Sequence, residues 1–192
     1  QEGDDVQLRN EVVEYLLGYI DRSDREVFAQ IRAHGYTAIA KLLDGASDKD
    51  KATAKAKILK TLKSKKQRHW VYQSSILALG MLATPEDKDI IKAVQNYMDK
   101  GKDQQAKRFC TVALGQIGGD TNRNFLRGKL MKSRTQTIMK PWIALGLSII
   151  NYNERSQDSG SLATDSSVAD VRSVYRKTKT PLPASGLAIA LG

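Results

Sequence analysis

His34, His69 and Cys110 are the side chains of this chain best suited to metal binding or nucleophilic chemistry. The two imidazoles stand 35 residues apart, and neither has a ligand-type companion at i+4. A metal site needs such companions, because its ligands must converge on one point. His34 precedes Gly35 and reads as a helix C-terminal residue, where an imidazolium complements the helix dipole. His69 adjoins Trp70 at the expected start of a helix. Cys110 falls on an apolar helix stripe, which predicts an inert, packed thiol. The carboxylate clusters Asp21/Asp24/Glu26 and Glu86/Asp87/Asp89 sit at expected helix starts, where dipole compensation accounts for them. The sequence contains no GxxxxGKS/T, GxGxxG or GxSxG pattern. The expectation is a chain with no catalytic residue, no metal and no cofactor.

Charge is the stronger chemical signal. Residues 1–50 hold six Lys+Arg against eleven Asp+Glu, a balance of −5, whereas residues 51–140 hold twenty against six, a balance of +14. Residues 141–192 are near neutral, and the whole chain carries +10. Like charge gathered in this way attracts anionic partners. The densest run, KATAKAKILKTLKSKKQR (51–68), places Ala52, Ala56, Leu59 and Leu62 along one side of a helix. Its lysines fall mainly elsewhere, giving a basic amphipathic helix suited to a polyanion, an acidic protein surface or an anionic membrane face. Its small apolar side, without aromatic anchors, argues against membrane insertion.

The elements that must carry these residues are helical. Pro is confined to residues 85, 141, 181 and 183, and no run alternates apolar and polar β-branched residues. The fold class is all-α. AKRFCTVALGQI (106–117) sets Ala106, Cys110, Ala113 and Ile117 at helical spacing beside Leu114. IIKAVQNYM does the same with Ile91, Val94 and Met98. Gly118-Gly119 stops one helix; Thr84-Pro85-Glu86-Asp87 reads as an N-cap followed by proline in the first turn. Ser23 with Glu26, and Ser167 with Asp170, form capping-box patterns. The expected helices are 5–20 with 23–33, 36–44 with 50–64, 68–83 with 87–100, 103–118 with 121–132, and 134–151 with 166–178. Another begins at Pro181. Residues 151–167, rich in Ser, Asp and Asn, read as an inserted loop.

The tripeptide Ala-Leu-Gly recurs at 78–80, 113–115, 144–146 and 190–192. Gly45, Gly80 and Gly115 are separated by two intervals of 35 residues, a period typical of helical-pair repeats. Glycine inside a helix costs up to about 1 kcal/mol against alanine, so its repeated use predicts close helix packing.

VYQSSILALGMLATPED, AKRFCTVALGQIGGD and PWIALGLSII resemble the first helices of HEAT repeats, especially short bacterial ones related to phycobilin lyase HEAT-like repeats. The likeness covers 68–192 closely and 1–67 loosely. Arg108 matches the arginine of the usual lead-in, while Gln73 and Met139 depart from it. The resemblance implies one array over 1–192: a right-handed α-solenoid of about five antiparallel helix pairs plus a truncated sixth, the last Ala-Leu-Gly ending a first helix at a cut end. It also implies a protein-binding scaffold, since enzymes are a minority of such proteins. Second helices usually line the concave side, which here would gather Lys57, Lys60, Lys63, Lys92, Arg123, Arg127, Lys129 and Lys132. That stripe supports an alternative, a nucleic-acid-binding solenoid, with a DNA-glycosylase-like enzyme as its catalytic version.

No membrane span is expected, because the longest apolar stretch, Trp142–Ile150, falls short of the about 20 residues a span requires. The opening QEGDD is no signal peptide, and a chain trimmed at its start fits either a cytoplasmic or an exported protein.

Overall fold

A computed structural model describes residues 2–22, 28–132, 134–157 and 166–191. Where apolar residues recur every third or fourth position between Pro and Gly breaks, the chain coils. The described residues form ten α-helices, one 3-10 turn and no strand. They divide at Ala83/Thr84 into two compact units.

The first unit contains α1 (Glu2–Ile20), α2 (Ala29–Leu42), α3 (Asp48–Lys63) and α4 (His69–Leu82). α2 packs lengthwise on α4, α1 lies against α2, and α3 against α4. The core is aliphatic around one tyrosine: Val13, Ile20, Tyr36, Ile39 and Leu43 are buried where α1 meets α2, and Ala54, Ile58, Leu62, Val71, Ile76 and Leu79 where α3 meets α4. Each fully buried Leu or Ile contributes about 1.5–3 kcal/mol by leaving water. Ser47 starts α3 by accepting the Asp50 backbone N–H at 3.3 Å.

Two expectations change in this unit. Residues 29–33 and 36–42, expected in separate helices, belong to one helix, α2, with Gly35 buried in its interior, while residues 23–27 lie outside the described residues. A methyl group on Gly35 would come within 2.8 Å of Ile20 Cγ2, so the glycine admits the end of α1 and does not break the helix. His34 is therefore an exposed mid-helix residue, not a C-terminal one. In α3 the buried stripe is Ala54, Ile58 and Leu62, and Ala52 and Ala56 are exposed. The Ser23/Glu26 pattern lies outside the described residues.

The second unit contains α5 (Lys88–Lys100), α6 (Gln104–Ile117), α7 (Gly119–Met131), a 3-10 turn (Thr137–Met139), α8 (Lys140–Gln157), α9 (Ser166–Lys177) and α10 (Pro181–Leu191). α6, α8 and α10 form a row, with α5 packed on α6, α7 on α8 and α9 on α10. Gly118 and Gly119, at φ of +75° and +80°, make the reversal between α6 and α7 that side-chain-bearing residues rarely adopt. Asp103 starts α6 by accepting the Ala106 N–H at 2.6 Å. The predicted stripes of α5 and α6 are buried as expected, including Ile91, Val94, Met98, Cys110 and Leu114.

Close approach explains the central Ala-Leu-Gly segments. A Cβ on Gly115 would lie 2.7 Å from the carbonyl oxygen of Gly146, and one on Gly146 would lie 2.5 Å from that of Thr111. α6 and α8 thus touch backbone to backbone, with Ala113, Leu114, Ala144 and Leu147 buried around the contact. Gly186 instead admits a side chain: a Cβ there would lie 2.7 Å from the Pro141 ring. Gly80 and Gly115 are each the twelfth residue of their helix, so that interval of 35 is structural. Gly45 instead lies beyond α2 at φ +69°, and its equal interval joins unlike positions. Gly192 of the last copy falls outside the described residues.

Two boundaries also move. Thr84–Asp87 is a turn before α5: the Asp87 carboxylate accepts the Thr84 N–H at 2.9 Å, and the Asp87 N–H reaches the Thr84 carbonyl at 3.1 Å. Proline at the second position of such a turn is favoured by its fixed φ. α8 runs to Gln157, well into the segment expected as a loop. Ser167 stands inside α9, buried, with its hydroxyl accepting from Asn151 at 3.1 Å.

Candidate interaction surfaces

The basic residues expected to form a stripe fall into two sets. Lys57 extends from α3 to α1, donating to the Leu17 carbonyl at 3.0 Å and pairing with Asp21 at 2.7 Å. Arg123 on α7 reaches Asn151 at 2.6 Å and pairs with Glu154, both on α8. Arg127 pairs with Asp170 of α9 at 2.7 Å. Lys129 pairs with Asp99 of α5 and lies 5.0 Å from the centroid of Phe125. These four cations tie neighbouring helices together, and carboxylates balance much of their charge. The other four, Lys60, Lys63, Lys92 and Lys132, are exposed and have no partner among the described residues. Lys57, Lys60 and Lys63 belong to the first unit and the rest to the second.

Sequence reasoning placed Lys60 and Lys63 on a basic helix but missed the corner they help build. From Lys51 to Pro85 the chain has no Asp or Glu. Within that stretch the end of α3, the turn 64–68 and the start of α4 carry Lys60, Lys63, Lys65, Lys66 and Arg68, all exposed. His69 and Trp70 follow at once, their rings 3.9 Å apart at 42°. Trp70 keeps 37% of its surface open to solvent. The turn is fixed from beneath. Tyr72 donates its hydroxyl to the Ser64 carbonyl at 2.5 Å and accepts the Gln67 N–H at 3.4 Å. Buried Arg32 donates to the Gln67 side chain at 3.0 Å and to the Arg22 carbonyl at 2.7 Å.

A second surface lies on α1, which has two apolar stripes. Val13, Leu17 and Ile20 face the core. Leu8, Val12 and Tyr15, at spacings of four and three, face solvent with exposures of 61%, 38% and 63%. Tyr19 extends this outer stripe, its ring 6.5 Å from that of Tyr15. Exposed Asp5, Glu11 and Glu14 flank it. Apolar side chains ordered along one exposed helix face mark interaction surfaces more often than scattered ones do.

The groups first considered for chemistry are dispersed. No group of three or more His, Cys, Asp or Glu could hold a metal ion among the described residues. Cys110 is fully buried, and desolvation pushes its thiol far above the ordinary value, so it stays protonated and unreactive. Trp142, partly buried, packs under Arg108, whose guanidinium carbon lies 6.0 Å from the ring centroid. A cleft of about 300 Å³ between α5, α6 and α7 is lined by both members of the Lys129–Asp99 pair. Among the described residues no helix is long and apolar enough to cross a membrane.

No protein-family model and no curated protein sequence matches this chain.

Proposed function

We propose that this chain is a non-catalytic scaffold of HEAT-like helix pairs, stacked with the right-handed sense of such repeats, that binds another protein. The observation that carries this reading is the outer stripe of α1. Leu8, Val12 and Tyr15 expose apolar surface in register along a helix whose other face already fills its core position. Water contact with that stripe is unfavourable by about 25 cal/mol per Å², and burial against a partner recovers it. The acidic flanks Asp5, Glu11 and Glu14 select a partner with an apolar strip bordered by cations. The rows α2–α4 and α6–α8–α10 support the HEAT-like reading, since each helix packs on the next of its kind. The ion pairs of Arg123, Arg127 and Lys129 support a protein ligand over a polyanion along the second helices.

The test is capture with the intact chain against a Leu8→Asp/Tyr15→Glu variant. Both side chains are exposed, so the variant is expected to fold with unchanged circular dichroism. A stoichiometric partner held by the natural chain and lost by the variant supports the reading. Equal capture by both overturns it. Sedimentation of the chain alone separates a foreign partner from self-association.

A further inference from the structure

We propose that the corner between α3 and α4 is a binding surface for single-stranded nucleic acid. Five cations, Lys60, Lys63, Lys65, Lys66 and Arg68, are exposed within nine residues, in a stretch from Lys51 to Pro85 that holds no carboxylate. Lys60, Lys63, Lys65 and Lys66 have no partner among the described residues. Crowding like charges costs free energy, and solvent lysines normally relieve it by interleaving with acids. Here the backbone does the reverse. Half-buried Tyr72 and buried Arg32 fasten the turn through Ser64, Gln67 and Arg22, so these two side chains hold the charges together.

The aromatic pair decides which polyanion fits. A chain of phosphates with free bases offers charge to the lysines and a π-face to Trp70 at the same time. A duplex hides its base faces, and an acidic protein would use the cations alone. A lipid surface would call for apolar anchors, but the apolar stripe of α3, Ala54, Ile58 and Leu62, is turned into the core. This surface lies on the first unit, and its test is independent of the protein-binding stripe on α1.

Fluorescence anisotropy of labelled oligo(dT) and oligo(U), at low and moderate salt, tests the inference. Binding is expected at low salt and falls as salt rises, with a log–log slope of about −0.7 for each phosphate neutralised. Lys60→Gln/Lys63→Gln/Lys65→Gln/Lys66→Gln is expected to flatten that slope and abolish most binding. Trp70→Ala is expected to weaken binding roughly tenfold by loss of stacking, and Trp70→Phe to retain most of it. Lys92→Gln/Lys132→Gln, which removes the same kind of unpaired charge elsewhere, is expected to change little. The inference is overturned by no binding at low salt, or by equal sensitivity to the Lys92/Lys132 variant. It is also overturned if the Trp70→Ala chain binds oligo(dT), polyglutamate and phosphatidylserine vesicles as well as the natural chain does.

Discussion

At the residue scale, two glycines on helices in the same unit predict opposite outcomes from the same substitution. Gly146→Ala would drive a methyl group to 2.5 Å from the Thr111 carbonyl oxygen, a backbone atom that cannot move aside. The expected loss is about 1–3 kcal/mol as α6 and α8 are forced apart. Gly128 has nothing within 4 Å of its missing Cβ and is exposed on α7. Gly128→Ala is therefore expected to stabilise the chain by up to about 1 kcal/mol. Urea unfolding of both variants checks the pair. Cys110 predicts a pH effect of defined sign. Its folded pKa is raised above the ordinary 9.0, so the folded state holds its proton where the unfolded state releases it. The resulting stability is complete below that value and is lost as pH rises above it, by about 1.4 kcal/mol per pH unit. Comparing the slope of stability against pH for the natural chain and Cys110→Ala isolates this contribution, because the other titrations are shared. The native thiol is also expected to resist thiol reagents until the chain unfolds.

At the element scale, helices of the second unit are joined by side chains that sequence distance conceals. Asn122 is fully buried on α7, donating to the Gly118 carbonyl at 2.9 Å and accepting from Gln95 of α5 at 3.2 Å. Asn122→Leu leaves the Gly118 carbonyl without this donor, and the expected cost is about 1–3 kcal/mol. Arg127 and Asp170 retain 31% and 22% side-chain exposure, which screens their attraction. A double-mutant cycle to alanine is expected to give a coupling of up to about 1 kcal/mol, shrinking with salt. The stripes of α5 and α6 could be read from spacing alone, because one helix face suffices to define them. α2 could not, since a histidine before glycine also fits a helix end and only Ile20 shows why Gly35 is buried. The ion pairs made by members of the expected basic stripe were hidden for a related reason. Arg123, Arg127 and Lys129 look free in sequence, but their carboxylates lie 31, 43 and 30 residues away.

At the scale of the whole molecule, each unit has its own aliphatic core, and contacts within it run mainly between neighbouring helices. Residues 84–192 expressed alone are expected to stay helical and to unfold cooperatively in urea, with circular dichroism as the readout. A non-cooperative, gradual loss of signal would show that the second unit depends on the first.

The all-helical fold, the buried stripes of α5 and α6 and the use of glycine for close packing were legible in the sequence alone. These follow from periodicity and from backbone sterics, which act over a few residues. Which glycines meet backbone, which cations are matched by carboxylates and where unmatched charge gathers emerged when the helices packed. Those outcomes depend on distances between helices, and Coulomb attraction and van der Waals exclusion are set by position in space.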